Sequence, residues 1–256
     1  MDLKGCAAIV TGSSSVTGIG AECAKALAGR GCNVVINYNS NADGAKKTAA
    51  ECEALGAEAL VFQGSVAEDE SCRAMVAAAM DKWGRLDALV NNAATTKPIK
   101  HRDLEALDAE EFLRVYRVNV VGAYQMIRAA LPHLKAHGDG AVVNIGSTAL
   151  YRASGSSIAY CASKGALSNI TLSLARVAAP EVRVNTVCPG GLLGNWTRSI
   201  LTEAEYQERV REAEEDYLLK KAIWPADVAA TALWLIEGAT HMTGESIRMD
   251  VGRHLQ

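Results

Sequence analysis

The stretch Cys6-Ala7-Ala8-Ile9-Val10-Thr11-Gly12-Ser13-Ser14-Ser15-Val16-Thr17-Gly18-Ile19-Gly20 passes from an apolar run, through a loop of glycines and hydroxyls, into the helical pattern Ala21–Arg30 that Gly31 stops. Residues 6–11 read as a first strand. Glycines let a backbone approach a pyrophosphate closely, and the helix start behind them offers N–H groups and a positive dipole end. A Gly/Ser-rich turn can also be no more than a turn. The strand before it and the helix after it favour a nucleotide site.

Outward from that stretch the same alternation repeats. Strands are predicted at 33–37, 59–63, 86–91, 141–145, 182–187 and 246–250, with helices at 42–55, 69–83, 109–136, 157–178 and 227–237. Short connections between them argue for one domain, 1–256, built on a doubly wound parallel sheet. Residues 191–225 interrupt the rhythm. Thr202 and Glu205 form a capping-box pattern opening a charged helix to about 219, and the insertion 194–222 reads either as a lid over a cleft or as a solvated helix.

Composition is that of a globular protein, about half apolar and a fifth charged. A net charge of −3 gives no electrostatic case for nucleic acid or an anionic membrane, and no apolar run reaches the length of a membrane span. No secretion signal is read at the N-terminus. Seven scattered cysteines without a Cys-x-x-Cys pair point to a reducing, cytoplasmic setting and to no metal or disulfide framework. Cys161 reads as packing, since no histidine accompanies it in the sequence.

The chemistry concentrates in Tyr160-Cys161-Ala162-Ser163-Lys164. Tyrosine and lysine four residues apart share one face of a helix, and Ser147 lies just past the predicted strand 141–145, where open α/β sheets bind ligands. A free tyrosine has a pKa near 10, so a neighbouring cation that favours the phenolate would let it exchange a proton with a substrate oxygen. A bare Tyr-x-x-x-Lys also arises by chance in any helix. Its meaning depends on the rest of the chain.

Thr11-Gly12 with Gly18-Ile19-Gly20, Asn91-Asn92-Ala93-Ala94, Asn119, Ser147, Tyr160-x-x-x-Lys164 and Pro189-Gly190, in this order, resemble the short-chain dehydrogenase/reductase family over essentially the whole chain. The resemblance implies a Rossmann-type fold, a nicotinamide cofactor, and hydride transfer between the nicotinamide and a carbonyl or secondary alcohol. It implies Tyr160 as acid/base, Ser147 as hydrogen-bond partner of the reacting oxygen, Lys164 as the group that lowers the tyrosine pKa and holds the ribose, and Asn119 as anchor of a relay water. It implies cofactor contacts at Gly12, Ser14, Gly18, Ile19, Gly20, Asn39, Ser40, Ser65, Val66, Asn92, Ala93, Pro189 and Gly190, besides Tyr160 and Lys164.

The chain departs from the family pattern in three places. Five residues, not three, separate Gly12 from Gly18. Ser65-Val66 stands where an aspartate is frequent, and Gly194 stands where a threonine is common, with Thr197 nearby. Asn37-Tyr38-Asn39-Ser40 carries no acid to bind a ribose 2′-hydroxyl, which tilts the reading from NAD(H) to NADP(H). Ala94–Thr96, Thr148–Tyr151, Trp196, Tyr206 and Tyr217 are expected to wall the substrate pocket. No basic patch for an acidic carrier is apparent along the chain. The resemblance of the helices at 109–136 and 157–178 to subunit-pairing helices implies a homotetramer. A non-catalytic cofactor-binding protein and an epimerase or lyase of the same fold stand as rivals.

Overall fold

A computed structural model describes residues 1–256. Strands β1 (Ala7–Val10), β2 (Asn33–Tyr38), β3 (Ala59–Gln63), β4 (Ala88–Asn91), β5 (Gly140–Ile145), β6 (Val182–Pro189) and β7 (Ser246–Met249) form a single parallel sheet. Their order is β3-β2-β1-β4-β5-β6-β7, so the direction of winding reverses between β1 and β4. In such sheets the reversal point opens a crevice beyond the strand ends.

The strands read as continuous apolar runs because both faces are covered. Ala8 and Val10 pack with α1 (Ile19–Ala28), α2 (Ala42–Ala54) and α10 (Pro225–Glu237), while Ile9 between them packs with α3 (Asp69–Trp83) on the other face. Val34, Ile36 and Val35 divide in the same way. Each wholly buried Leu or Ile, such as Leu89, contributes about 2 kcal/mol of transfer free energy.

A buried polar chain ties the sheet to the long helix α7 (Ile158–Ala178). Asn91 Nδ2 donates to Asn144 Oδ1 at 2.9 Å, Asn144 Nδ2 donates to Thr171 Oγ1 at 2.9 Å, and Thr171 Oγ1 meets Thr186 Oγ1 at 2.9 Å. At the opposite end of β6 the buried Arg183 donates to the carbonyls of Leu235, Ile236 and Ala239. It supplies a cation where the carbonyl end of α10 carries negative partial charge.

The helix expected at 109–136 is continuous, but it is not regular. It runs as α4 (Ala109–Tyr116), a π-helical turn (Arg117–Gly122) and α5 (Ala123–Lys135). The widened turn contains Asn119, in keeping with the habit of π-turns to occur at functional positions. The insertion folds as α8 (Asn195–Ile200) and α9 (Glu203–Arg211), followed by a second π-turn (Glu212–Asp216). The Thr202–Glu205 capping box is formed, but regular helix stops at Arg211 rather than near 219. No helix is long and apolar enough to cross a membrane.

Candidate active site

A cleft of about 1430 Å³ lies beyond the carboxyl ends of the strands, at the reversal point. Gly12 opens one wall, with φ of +62° and so little room that an added Cβ would stand 2.8 Å from Ala93 Cα. Its N–H donates to Asn37 Oδ1, while Asn92 Nδ2 donates to the Thr11 and Gly12 carbonyls. Thr11 Oγ1 accepts from both Asn92 N and Ala93 N. The ends of β1, β2 and β4 are therefore stitched into one rigid rim.

The two extra loop residues leave the helix start in place. Gly18 N donates to Ser15 O at 2.6 Å, which folds the surplus chain into a turn, and α1 opens at Ile19 with no side-chain cap on its N–H groups. The turn is held from outside by Lys25 Nζ on Val16 O and by Asn195 Nδ2 on Thr17 Oγ1. An anionic diphosphate fits this rim: small residues allow approach, and free N–H groups point at it. At Gly20 an added Cβ would lie 2.5 Å from Asn92 Nδ2 and 2.7 Å from Gly12 O. Gly20→Ala is therefore expected to displace Asn92 and weaken dinucleotide binding by about tenfold or more, as read by fluorescence titration.

The facing wall is the start of α7. Ser157 caps it by accepting from Tyr160 N at 3.2 Å, which fixes Tyr160 in the first turn above Ser147 at the end of β5. Lys164, 3% exposed, donates to Ile145 O at 2.7 Å, with Nζ 5.6 Å from the centre of the Tyr160 ring. One of three ammonium donors is thus used by the protein. Burial pushes the Tyr160 phenol up to about 12, against the opposing pull of the Ser147 hydroxyl. It pushes the Lys164 ammonium down to about 8. In these surroundings desolvation of the phenolate is the largest effect, so the phenol is raised rather than lowered even with the Lys164 ammonium 5.6 Å from the centre of its ring.

Asn119 is 2% exposed and lies behind the cleft wall. Its Nδ2 donates to Thr95 O and Ser163 Oγ, both at 3.0 Å, and its Oδ1 accepts from Thr95 N at 2.8 Å. Both amide N–H groups are taken, so the side chain clamps the 95-loop to α7 instead of holding a water through them. Every other residue expected to act in catalysis or to touch the cofactor lines the cleft, while Thr96, Ala149 and Leu150 of its expected walls do not.

The enoyl-(acyl carrier protein) reductase family matches residues 12–254. A Streptomyces violaceoruber protein named as a ketoacyl reductase of the granaticin polyketide synthase is 40% identical over 97% of this chain and 96% of its own. The chain belongs to the short-chain dehydrogenase/reductase family. A crystal structure from Burkholderia xenovorans described as a member of that family is 38% identical and superposes with a TM-score of 0.89, covering 98% of both chains. A 7α-hydroxysteroid dehydrogenase in complex with NADH and 7-oxo glycochenodeoxycholic acid is 27% identical, with a TM-score of 0.86 over 98% of this chain and 94% of its own. As a member of this family the protein is an oxidoreductase that works with a nicotinamide cofactor.

Three expectations for this family member's pocket are corrected. Tyr206 and Tyr217 are buried beneath the insertion and do not line the cleft; Tyr217 packs against Gly191 and under the Arg253 guanidinium. Tyr151, on the short helix α6 (Ala149–Arg152), turns away, donating to Ser246 O with Arg248 over its ring, so of the four aromatics expected to wall the substrate pocket only Trp196 faces the cleft. Cys161 does have a histidine, His101 Nε2 at 4.0 Å from Sγ, contributed by a loop sixty positions away. Burial pushes that thiol up, away from thiolate character. Thr197 Oγ1 donates to Leu192 O at 2.7 Å and serves its own loop.

Sequence reasoning missed Asn37 as the hinge pin of the rim, whose Nδ2 also reaches Gly64 O at 3.0 Å. It also missed the loop 98–102, which carries no recognisable motif.

Proposed function

We propose that the protein is an NADP(H)-dependent oxidoreductase that interconverts a carbonyl compound and a secondary alcohol. The observation that carries this reading is the convergence of Ser147, Tyr160 and Lys164 on the same cleft as the glycine rim. The bound nicotinamide supplies or accepts the hydride. Tyr160, kept protonated by burial, gives its proton to the substrate oxygen in the reducing direction, and Ser147 orients that oxygen. The buried Lys164 ammonium stabilises the phenolate that remains and has two further donors for the ribose hydroxyls. Asn119 is a positioning residue that keeps α7 and the 95-loop in register.

NADP(H) is favoured because Asn39 and Ser40, both exposed at the adenosine end of the cleft, offer hydroxyl and amide donors with no carboxylate to repel a 2′-phosphate. Parallel titrations with NADPH and NADH, followed by tryptophan fluorescence, test this. Tighter NADPH binding is expected; tighter NADH binding would overturn the 2′-phosphate assignment, and binding of neither would overturn the site. Exposed Leu113, Val121, Tyr124, Leu172 and Val177 on α4–α5 and α7 support a homotetramer, expected from light scattering. A monomeric mass would overturn it. Seven free, buried cysteines accord with a cytoplasmic setting.

A further inference from the structure

The charge in the cleft is distributed unevenly. Along the rim of β1, β2 and β3, from Gly12 through Asn39 and Ser40 to Val66, the lining contains no charged residue. Away from that rim it contains Lys100, Arg102, Arg114, Arg152, Arg209 and Arg253 against one acid, Glu205. Two of these cations are neutralised: Arg114 pairs with Glu111 and Arg253 with Glu212. Lys100, Arg102, Arg152 and Arg209 have neither an ion pair nor a side-chain hydrogen bond, although the whole chain carries a net charge of −3.

These four cations come from three separate elements that the fold brings together. Ile99 N donates to Ser156 O at 2.8 Å and Thr96 Oγ meets Ser156 Oγ at 2.6 Å, so the loop bearing Lys100 and Arg102 is fastened to the turn that follows Arg152. That turn rests on the reacting tyrosine: an added Cβ at Gly155 would lie 3.3 Å from Tyr160 Cδ1. Arg209 comes from α9 and is only half exposed. Glu205, one turn earlier on α9, is the one counter-charge: its Oε2 accepts from Thr202 N and Oγ1, and a single carboxylate leaves the four cations in excess. Its carboxyl is held low first by those bonds and then by Lys100 and Arg209, which sets Lys100 within electrostatic reach of α9. Unpaired cations gathered on the walls of a cleft raise the local concentration of an anion there, and guanidinium groups match carboxylates and phosphates by paired N–H donors.

We propose that the substrate is an organic anion, a ketone or alcohol bearing a carboxylate or a phosphate ester, whose anionic group is held by Lys100, Arg152 and Arg209 in the part of the cleft away from the glycine rim. This rests on the reading of Tyr160 as the reacting end. The class is not legible along the chain, where the cations stand far apart; folding creates the basic patch that the sequence did not display.

Matched pairs test it: a series of keto carboxylates against their methyl esters, and dihydroxyacetone phosphate against dihydroxyacetone, each assayed for NADPH oxidation. The charged member is expected to have a kcat/KM at least about tenfold higher in one of the two series, which also tells carboxylate from phosphate. Arg152→Gln with Arg209→Gln should abolish that ratio, and raising the salt should shrink it. Equal rates for charged and neutral members, or a ratio unmoved by the double variant, would overturn the proposal. Binding of the same probes to NADPH-loaded Tyr160→Phe protein, read by the fluorescence of the cleft residue Trp196, separates the two readings. Selective anion binding without turnover of any probe in the wild type would refute the reaction but not the anion site. Absence of selective binding in both series would refute the anion site whatever the turnover.

Discussion

Tyr160→Phe is expected to lower turnover by about 10²–10⁴-fold while leaving NADPH affinity near that of the wild type, as read by steady-state kinetics and fluorescence titration. The ring is held by the 153–156 turn and its backbone N–H by Ser157, and neither contact involves the hydroxyl. Phenylalanine therefore keeps the shape of the wall and removes only the hydroxyl, with its proton and its bond to Ser147. Because burial pushes the phenol up to about 12, the group is fully protonated at neutral pH. The tyrosine itself should thus cost the reducing direction no rate until well into the alkaline range, and the fall expected as the pH rises through about 8 is that of Lys164 losing its charge. Retention of more than about a tenth of the wild-type turnover would refute Tyr160 as the acid/base.

The parts of this site that could be read along the chain are those in which one short segment does one job. The glycine rim needs a strand, a turn and a helix start in succession, and residues 6–20 spell these out. Tyr160 and Lys164 share a helix face by spacing alone. The parts that could not be read depend on elements far apart in sequence. Nothing between Arg117 and Gly122 breaks a helix, so the π-turn around Asn119 is imposed by what that amide must reach, Thr95 on one side and Ser163 on the other. Tyr206 and Tyr217 belong to a charged segment whose rotation about its own axis decides whether an aromatic faces the cleft or the core, and the core wins. The ionisation of Tyr160 is misjudged for the same reason. Sequence displays the lysine one turn away but not the desolvation, and desolvation is the larger effect.

Lys164→Met separates stability from function, because the two are expected to move in opposite directions. A buried ammonium with a single protein acceptor is costly, and its pKa is pushed down to about 8. Below that pH the group is charged in both folded and unfolded chains, and the full cost of burying it is borne. Between about pH 8 and the unfolded value of about 10.4, the unfolded chain holds a proton that the folded one has lost, so stability rises with pH. Methionine fills the same space without charge. At pH 7 it should remove about 2–3 kcal/mol of desolvation cost and lose about 1 kcal/mol with the bond to Ile145 O, a net gain of about 1–2 kcal/mol in urea unfolding of the cofactor-free protein. The gain should shrink as the pH is raised toward 10, where the wild-type lysine is already neutral in the fold. Turnover and NADPH affinity should both fall, since no cation is left beneath the tyrosine and no donor for the ribose. A variant that is less stable at pH 7 would mean that the ammonium is not desolvated as the geometry implies. A variant with wild-type affinity and turnover would mean that the cation under Tyr160 has no part in the chemistry.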